Sequence, residues 1–199
     1  MTTAQNDAVL QEAIWSTTGA SLWIKRALLV ALGIAGLAIA AKIKVPMWPV
    51  PITMGTFAVL TIGAAYGPRL GLATILGYMA IGALGFDIFA SSTADKNGIA
   101  YMLGGSGGYL LGYVLATAAL GYFARLGWDR TALKMGAALL IGNALIYIPG
   151  LLWLNGFAES WAQTLQWGLT PFLIGDAIKL ALAALLIPGL WKLIGSART

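Results

Sequence analysis

The sequence predicts an all-α integral membrane protein, a single bundle of six transmembrane helices with both termini in the cytoplasm. Of its 199 residues, 59% are hydrophobic and only 10% are charged, whereas soluble domains contain about 25% charged residues. Charged and proline-rich segments divide the apolar sequence into six blocks of nearly bilayer-spanning length. The chain contains neither Cys nor His, which excludes thiol nucleophiles, disulfides and the commonest zinc ligands.

The six apolar blocks follow one another with mostly short connections. They cover residues 27–41, 53–66, 70–86, 105–124, 135–154 and 170–191. Lys25 and Arg26 precede the first block, and a proline-rich link separates it from the second. Gly67 and Pro68 end the second block, because both residues interrupt helices. The predicted domains are a cytoplasmic segment over 1–24, a transmembrane domain over 25–195 and a tail over 196–199.

A cleaved signal peptide is a different interpretation of the first block. Basic residues precede a short apolar run that contains "AIA" (Ala38–Ala40), a typical cleavage-site pattern. However, the 24 residues before the block are long for the basic region of a signal peptide, and cleavage would leave five spans. We therefore favour a first transmembrane helix.

Basic residues are distributed unequally between the two sides of the predicted spans. With the N-terminus inside, eight of them lie in cytoplasmic segments: Lys25, Arg26, Arg69, Arg125, Arg130, Lys134, Lys192 and Arg198. Three lie in outer loops: Lys42, Lys44 and Lys96. This bias favours cytoplasmic termini, and it explains the net charge of +5 without a nucleic-acid partner.

Two ionisable residues, Asp176 and Lys179, lie inside the sixth block, where an ion costs about 2.5–3.5 kcal/mol near the bilayer centre. Their spacing of three residues places them on one face of a helix. Because a carboxylate only accepts hydrogen bonds and an ammonium only donates them, the pair suits a ligand with a donor beside an acceptor. A cyclic urea fits, as would a zwitterion or a carboxylate near a hydroxyl. A packing ion pair and an ion or proton relay are the alternatives.

Small residues at two places indicate close helix contacts. The segment "LGGSGGYLLGY" (Leu103–Tyr113) lacks the GxxxxGK[ST] motif of phosphate loops, so we interpret its glycines as sites where helices approach. Alternatively, its backbone N–H groups line a polar pocket into which Tyr109 points. In the first block, Ala27, Ala31 and Ala35 recur every four residues. They would pack either inside the chain or against a second membrane protein.

Several short motifs follow one another between residues 46 and 179. They are "PVPIT", "YGPRLG", "YMAIGALGFDIFA", "GGSGGYLLGY" and "GDAIK". This order resembles that of the BioY family, the substrate-capture components of energy-coupling factor biotin transporters. The chain departs from the family pattern at Gly55, where a Gln is usual, and at Asp87 and Gly105, where Pro is usual. These departures put in doubt the pocket contacts made by the missing residues.

The resemblance implies a multi-pass protein of the cell membrane that captures biotin from outside and is not an enzyme. It implies no cofactor and no metal. Its expected partners are a transmembrane coupling protein and a pair of ABC-type ATPases, with the stripe of Ala27, Ala31 and Ala35 as the docking surface. Some members of the family are thought to act without these partners, and self-association is left open.

The resemblance also implies roles for individual residues in a biotin pocket. Asp176 would accept a ureido N–H, and Lys179 would donate to the ureido oxygen. The further candidates are Phe89, Tyr109 and Tyr147 against the apolar parts, Asn143 as a polar contact, and Ser91 and Ser92 at the ligand's polar end. The segments "KVPMWPVP" and Phe89–Tyr101 would cover the site. Alternatives are a pocket for another small vitamin and an intramembrane enzyme that uses Asp176 as an acid or base.

Overall fold

The computed structural model describes residues 8–15, 19–45, 52–93 and 95–196, and most of them are helical. The helices are α1 (Leu10–Ile14), α2 (Ala20–Lys42), α3 (Gly55–Ala83), α4 (Gly98–Met102), α5 (Gly107–Arg125), α6 (Ala132–Leu154), α7 (Trp161–Gly168) and α8 (Leu173–Ser196). Two short strands, β1 (Lys44–Val45) and β2 (Ile52–Thr53), pair antiparallel. Three 3₁₀ turns lie between the later helices: Trp128–Arg130, Asn155–Phe157 and Thr170–Phe172.

Within the described part of the chain, five helical stretches are long and apolar enough to cross a membrane. They are Ser21–Lys42, Gly55–Ala83, Gly107–Arg125, Ala132–Phe157 and Trp161–Gly195. Large apolar side chains on their outer faces are exposed, for example Leu133 and Ile174. Such surface is stable in lipid and unfavourable in water. The chain is therefore a multi-pass membrane protein.

The second and third predicted spans both fall within α3, which is interrupted at Gly67. This glycine has φ 77° and ψ 176°, a conformation that residues with a Cβ rarely adopt, and Pro68 follows it. A Cβ placed on Gly71 would lie 3.6 Å from the Cα of Gly63, whereas eight residues of straight helix advance about 12 Å. The chain therefore turns back on itself at Gly67.

The first predicted span begins earlier than expected. Helix α2 starts at Ala20 rather than at Ala27, so Lys25 lies inside the helix and not before it. Its side chain is only 2% exposed, because the Nζ donates hydrogen bonds to the backbone oxygens of Gln11 and Trp15 at the end of α1. Lys25, which the sequence placed before the first span, thus holds α1 against α2.

Glycines of α5 allow it to approach two other helices closely, which confirms the close-packing interpretation of its first turns. A Cβ on Gly112 would lie 2.6 Å from the Cα of Ile146 in α6, well inside contact distance. A Cβ on Gly121 would lie 2.4 Å from the backbone nitrogen of Pro68 in α3. Helix α5 therefore occupies the centre of the bundle, between α3 and α6.

The two ends of the bundle carry different structures. At one end, Arg125 donates to both carboxylate oxygens of Glu12, at 2.7 and 2.6 Å. Nearby, the indole of Trp191 donates to the buried Asp129 at 2.6 Å. The opposite end carries the strand pair, α4 and α7, together with the candidate site described next.

Candidate functional site

The site is built around the predicted ion pair at the start of α8. The Nζ of Lys179 lies 2.8 Å from Oδ1 of Asp176, and the two residues are only 8% and 4% exposed. Asp176 lies in the first turn of α8, where the partial positive charge of the helix terminus stabilises a carboxylate. The sequence predicted a helix that begins at Thr170, which placed Asp176 deeper in it. In the structure, residues 170–172 form a 3₁₀ turn and α8 begins only at Leu173.

Three further side chains form hydrogen bonds with the pair. Tyr147 and Asn143, one turn apart on α6, donate to Oδ2 of Asp176 at 2.5 and 3.3 Å. Lys179 also donates to the hydroxyl of Thr56 in α3, at 3.1 Å. The predicted candidates Asn143 and Tyr147 thus meet the predicted pair, and three helices contribute to one polar cluster.

The cluster retains hydrogen-bonding capacity. A carboxylate has about four acceptor positions and an ammonium has three donors. Among the described residues, Asp176 accepts three hydrogen bonds and Lys179 donates two. One acceptor position of Asp176 and one N–H of Lys179 therefore remain. The buried Oδ1 of Asn143 is a further acceptor without a partner in the described part of the chain.

A cavity of about 60 Å³ lies beside this cluster, and its walls are mainly aromatic. The rings that line it are Tyr78, Phe89, Tyr101, Tyr109, Tyr113, Tyr147 and Phe172. Lys179 and Thr56 line it directly, whereas Asp176 and Asn143 are not among its lining residues and contact Lys179 and Tyr147 behind the wall. The arrangement presents polar groups at one end of an apolar, aromatic space, which is typical of small-molecule sites.

Contacts between the rings fix their orientations. Phe89 stacks on Tyr101 with ring centres 4.9 Å apart and meets the edge of Tyr78 at 5.3 Å. Tyr109 meets the edge of Tyr147 at 6.2 Å, and its hydroxyl donates to the backbone oxygen of Gly168 at 2.8 Å. Phe89 and Tyr109, both predicted site residues, therefore lie in the cavity wall. The hydroxyl of Tyr109 points away from the ion pair, toward α7.

The loop after α3 covers one side of the cavity and is held by two lysines. Lys42 lies 2.6 Å from Asp87, and Lys44 donates to the backbone oxygen of Ala90 at 3.0 Å. The hydroxyl of Ser92 lies 2.5 Å from the Asp87 carboxylate. Hydrogen bonds from Lys42 and Ser92 lower the pKa of Asp87. These contacts fix the loop that places the ring of Phe89 in the cavity wall.

Two predicted site residues are not brought to the cavity. Ser92 is buried in contact with Asp87 and the backbone of Phe89, and Ser91 does not line the cavity. The expected cover "KVPMWPVP" falls mostly on residues 46–51, which lie outside the described residues. The other expected cover, Phe89–Tyr101, does lie over the site, and its end forms the first turns of α4.

Sequence reasoning did not assign several side chains of the cavity wall, among them Thr56, Tyr78, Tyr101, Tyr113 and Phe172. Aromatic residues inside apolar blocks give no signal that separates a pocket wall from a lipid-facing surface. Gly55 was noted as a departure from the family pattern, and the structure places it at the cavity wall. A Cβ there would lie 3.0 Å from the Thr53 hydroxyl and 3.3 Å from the Tyr113 hydroxyl, so a side chain at this position would be crowded.

The predicted docking residues Ala27, Ala31 and Ala35 are all exposed. Internal packing of α2 instead uses a different face of the helix. A Cβ on Gly33 would lie 2.6 Å from the methyl group of Thr74 in α3, and Leu37 is 2% exposed. The alanine stripe therefore faces away from the described core of this chain.

The chain is similar to proteins of one kind. The model of the BioY family matches residues 9–196. The "Probable biotin transporter BioY" of Pyrococcus horikoshii is 38% identical over 133 residues, which cover 67% of this chain and 76% of the relative. The "Biotin transporter BioY" of Thermotoga maritima is 32% identical over 140 residues, which cover 68% and 75%.

A solved structure has the same fold. It is the S-component for biotin from an ECF-type ABC transporter, and it aligns with a TM-score of 0.76. The alignment covers 88% of this chain and 95% of that chain, at 23% sequence identity.

Proposed function

The chain belongs to the BioY family, and from this premise we propose that it captures biotin as a transport subunit of the membrane. It is a transport protein and not an enzyme, which removes the alternative of intramembrane catalysis by Asp176. The observation that carries the assignment of the site is the buried pair Asp176–Lys179. Lys179 lines the aromatic cavity and has one N–H without an acceptor among the described residues, and Asp176 lies 2.8 Å behind it with one acceptor position left.

The remaining hydrogen-bonding positions match the ureido group of biotin. The ureido oxygen accepts from the third N–H of Lys179, and a ureido N–H joins or replaces the Tyr147 hydroxyl on Asp176. The apolar thioether ring and the valeryl chain pack against the rings of Phe89 and Tyr109. A site built to hydrogen-bond a donor and an acceptor rejects analogues that lack them, because its own buried groups would be left unpaired. The protein needs no cofactor for this, and biotin is its cargo.

Competition binding tests whether the cargo is biotin or another small vitamin. Purified protein in detergent is incubated with radiolabelled biotin and with unlabelled biotin, thiamine, riboflavin or lipoate. Lipoate shares the valeryl chain and a sulfur-containing ring with biotin but lacks the ureido group, which makes it the matched control. We expect biotin alone to compete. Competition by another vitamin at biotin's concentration, or by lipoate, contradicts the proposed recognition.

The turn at Gly67 supports six spans in the membrane, with α3 contributing two of them and both termini in the cytoplasm. The described basic residues support this orientation. Arg125 lies with Glu12 at one end of the bundle, and Lys42 and Lys44 lie with the outer loop at the opposite end. The excess of basic residues at the first end marks it as cytoplasmic.

Single cysteines test this topology, since the chain has no Cys of its own. Asp95 and Lys134 are both exposed and lie on opposite sides in the proposed arrangement. An impermeant thiol reagent added to intact cells should label the Asp95→Cys variant and leave Lys134→Cys unlabelled. Both should react after the cells are opened. Labelling of Lys134→Cys in intact cells would show that the proposed orientation is wrong.

The proposed partners are a transmembrane coupling protein and a pair of ABC-type ATPases in the plasma membrane, which supply ATP hydrolysis. The exposed stripe of Ala27, Ala31 and Ala35 on α2 supports docking of the coupling protein, because small residues let helices approach closely in lipid. Self-association between copies of this chain stays a prediction.

A bulky residue in the stripe should weaken assembly without affecting the pocket. Ala31→Trp is expected to lower the yield of the complex with the coupling protein in a pull-down, while biotin affinity stays at the wild-type value. Ala181→Trp is the matched control, since Ala181 is exposed on α8. Loss of biotin binding with assembly intact would instead assign the stripe to internal packing.

A further inference from the structure

A second cavity, of about 590 Å³, lies at the end of the bundle opposite the candidate site. Three arginines from three helices reach it: Arg26 in α2, Arg69 in α3 and Arg125 at the end of α5. Glu12 is the only acidic residue among the described residues that line it. The cavity borders the docking stripe, because Ala27 lines it, but neither the alanines nor the ion pair Asp176–Lys179 accounts for its arginines.

The charge of the cavity is not neutralised by the described part of the chain. Glu12 is fully engaged by Arg125, whose two terminal nitrogens donate to its two oxygens at 2.7 and 2.6 Å. Arg26 and Arg69 are exposed, and neither forms an ion pair with a described carboxylate. Two positive charges therefore face the cavity without an anionic partner among the described residues.

The walls behind the arginines are apolar. Ala27 and Val30 of α2 face Leu70 and Ala73 of α3 across the cavity. Tyr66 lines both this cavity and a second apolar groove, of about 430 Å³, which runs farther along the contact between α2 and α3. A basic opening thus leads into an apolar path along the outside of the bundle.

An exposed tryptophan indicates the depth of this opening in the membrane. Trp23 is 71% exposed, and the guanidinium of Arg26 lies 5.4 Å from the centre of its ring. Tryptophan is enriched at the level of the lipid headgroups, where its ring is in the apolar region and its N–H meets polar groups. Arg26 therefore lies at the level where lipid phosphates are found.

We propose that this cavity binds one anionic phospholipid. Its phosphate lies between Arg26 and Arg69, and one acyl chain follows the apolar walls of α2 and α3. Arginine suits this role because its planar guanidinium donates two parallel hydrogen bonds to phosphate oxygens. Basic pockets between transmembrane helices on the cytoplasmic side bind anionic headgroups in the same way. The apolar walls favour a lipid over an acidic segment of a protein partner, whose backbone would need hydrogen-bond acceptors there.

Native mass spectrometry of delipidated protein tests the proposal. Phosphatidylglycerol or phosphatidylcholine with matched acyl chains is added to the wild type and to the variant Arg26→Gln/Arg69→Gln. We expect wild-type protein to retain one phosphatidylglycerol in preference to phosphatidylcholine, and the variant to bind it about 30-fold more weakly. The variant Lys134→Gln/Lys192→Gln, which removes two exposed charges outside the cavity, should bind as the wild type does. Unchanged melting temperatures confirm that all variants are folded.

Four outcomes would overturn the proposal. The first is equal binding of phosphatidylglycerol by the wild type and the arginine variant. The second is equal binding of the two lipids. The third is competition by glycerol phosphate that is as effective as competition by the lipid, since the acyl chain would then contribute nothing to binding. The fourth is loss of coupling-protein binding by the arginine variant with lipid binding unchanged, which would assign Arg26 and Arg69 to a protein contact.

Discussion

The single changes Asp176→Asn and Lys179→Met are each expected to lower biotin affinity by about 100-fold or more. Each change leaves a buried ureido group without its charged hydrogen-bond partner, which costs about 3 kcal/mol of binding free energy, and each 1.4 kcal/mol corresponds to about tenfold in affinity. Each change also breaks a buried ion pair, which costs about 3–5 kcal/mol of folding stability because the other charge is left without compensation. Both variants should also melt at a lower temperature. Biotin titration and thermal unfolding in detergent measure the two effects on the same samples.

The same substitutions can be made at exposed positions as controls. Asp95 and Lys96 lie in the loop between α3 and α4 and are both exposed. Asp95→Asn and Lys96→Met should therefore leave the melting temperature and biotin affinity close to the wild-type values, since exposed charges contribute little. Wild-type affinity in either Asp176→Asn or Lys179→Met would show that the pair is not part of the biotin site.

The second large effect is expected from Gly112→Ala. The new Cβ would lie 2.6 Å from the Cα and 2.7 Å from the backbone oxygen of Ile146, so α5 and α6 must move apart. Overpacking of this kind typically costs about 1–3 kcal/mol, and more where backbone must shift. We expect a clear fall in the melting temperature and weaker biotin binding, because Tyr109 on α5 and Tyr147 on α6 both line the cavity.

Gly189→Ala is the matched control for this prediction. Nothing lies within 4 Å of a Cβ built on Gly189 in α8, and alanine is the better helix former by about 1 kcal/mol. The control should therefore unfold at the same temperature as the wild type or slightly above it. If Gly112→Ala behaved like Gly189→Ala, the close contact of α5 with α6 would not be a source of stability.

Hydropathy and charge predicted most of the fold, because in lipid a spanning segment must be apolar and helical. The predicted blocks 105–124 and 135–154 lie within three residues of α5 and α6 at each end. The start of α2 could not be predicted in this way. The side chain of Lys25 donates a hydrogen bond to the backbone of α1. Neither the sequence of α1 nor that of α2 indicates this contact.

The short helix α7 was missed although the sequence carries a signal for its start. Ser160 caps the helix by accepting a hydrogen bond from the backbone of Gln163, and Gln163 reaches back to the backbone of Glu159. A Ser followed three residues later by Gln is typical of a helix N-terminus. The pattern is short and lies between two predicted spans, so hydropathy alone predicts only a connecting segment there.

The polar part of the site was predictable because each charged or amide side chain in an apolar block is unusual. Asp176, Lys179 and Asn143 were found for this reason, and the structure brings them together. The aromatic wall was only partly found, since the rings of Tyr101 and Tyr113 are common in membrane helices. Ser91 and Ser92 were assigned from their place in the outer loop, and its folded path depends on the contact of Asp87 with Lys42.

A biotin titration of the double variant Asp176→Leu/Lys179→Met tests the role of the pair most directly. Replacing both members with apolar groups removes the unpaired charge, so the variant should recover much of the melting temperature that each single change loses. The ureido donor and acceptor would nevertheless be buried without partners. We predict a folded protein that binds no biotin. A double variant that binds biotin with wild-type affinity would contradict the assignment and leave the pair with a purely structural role.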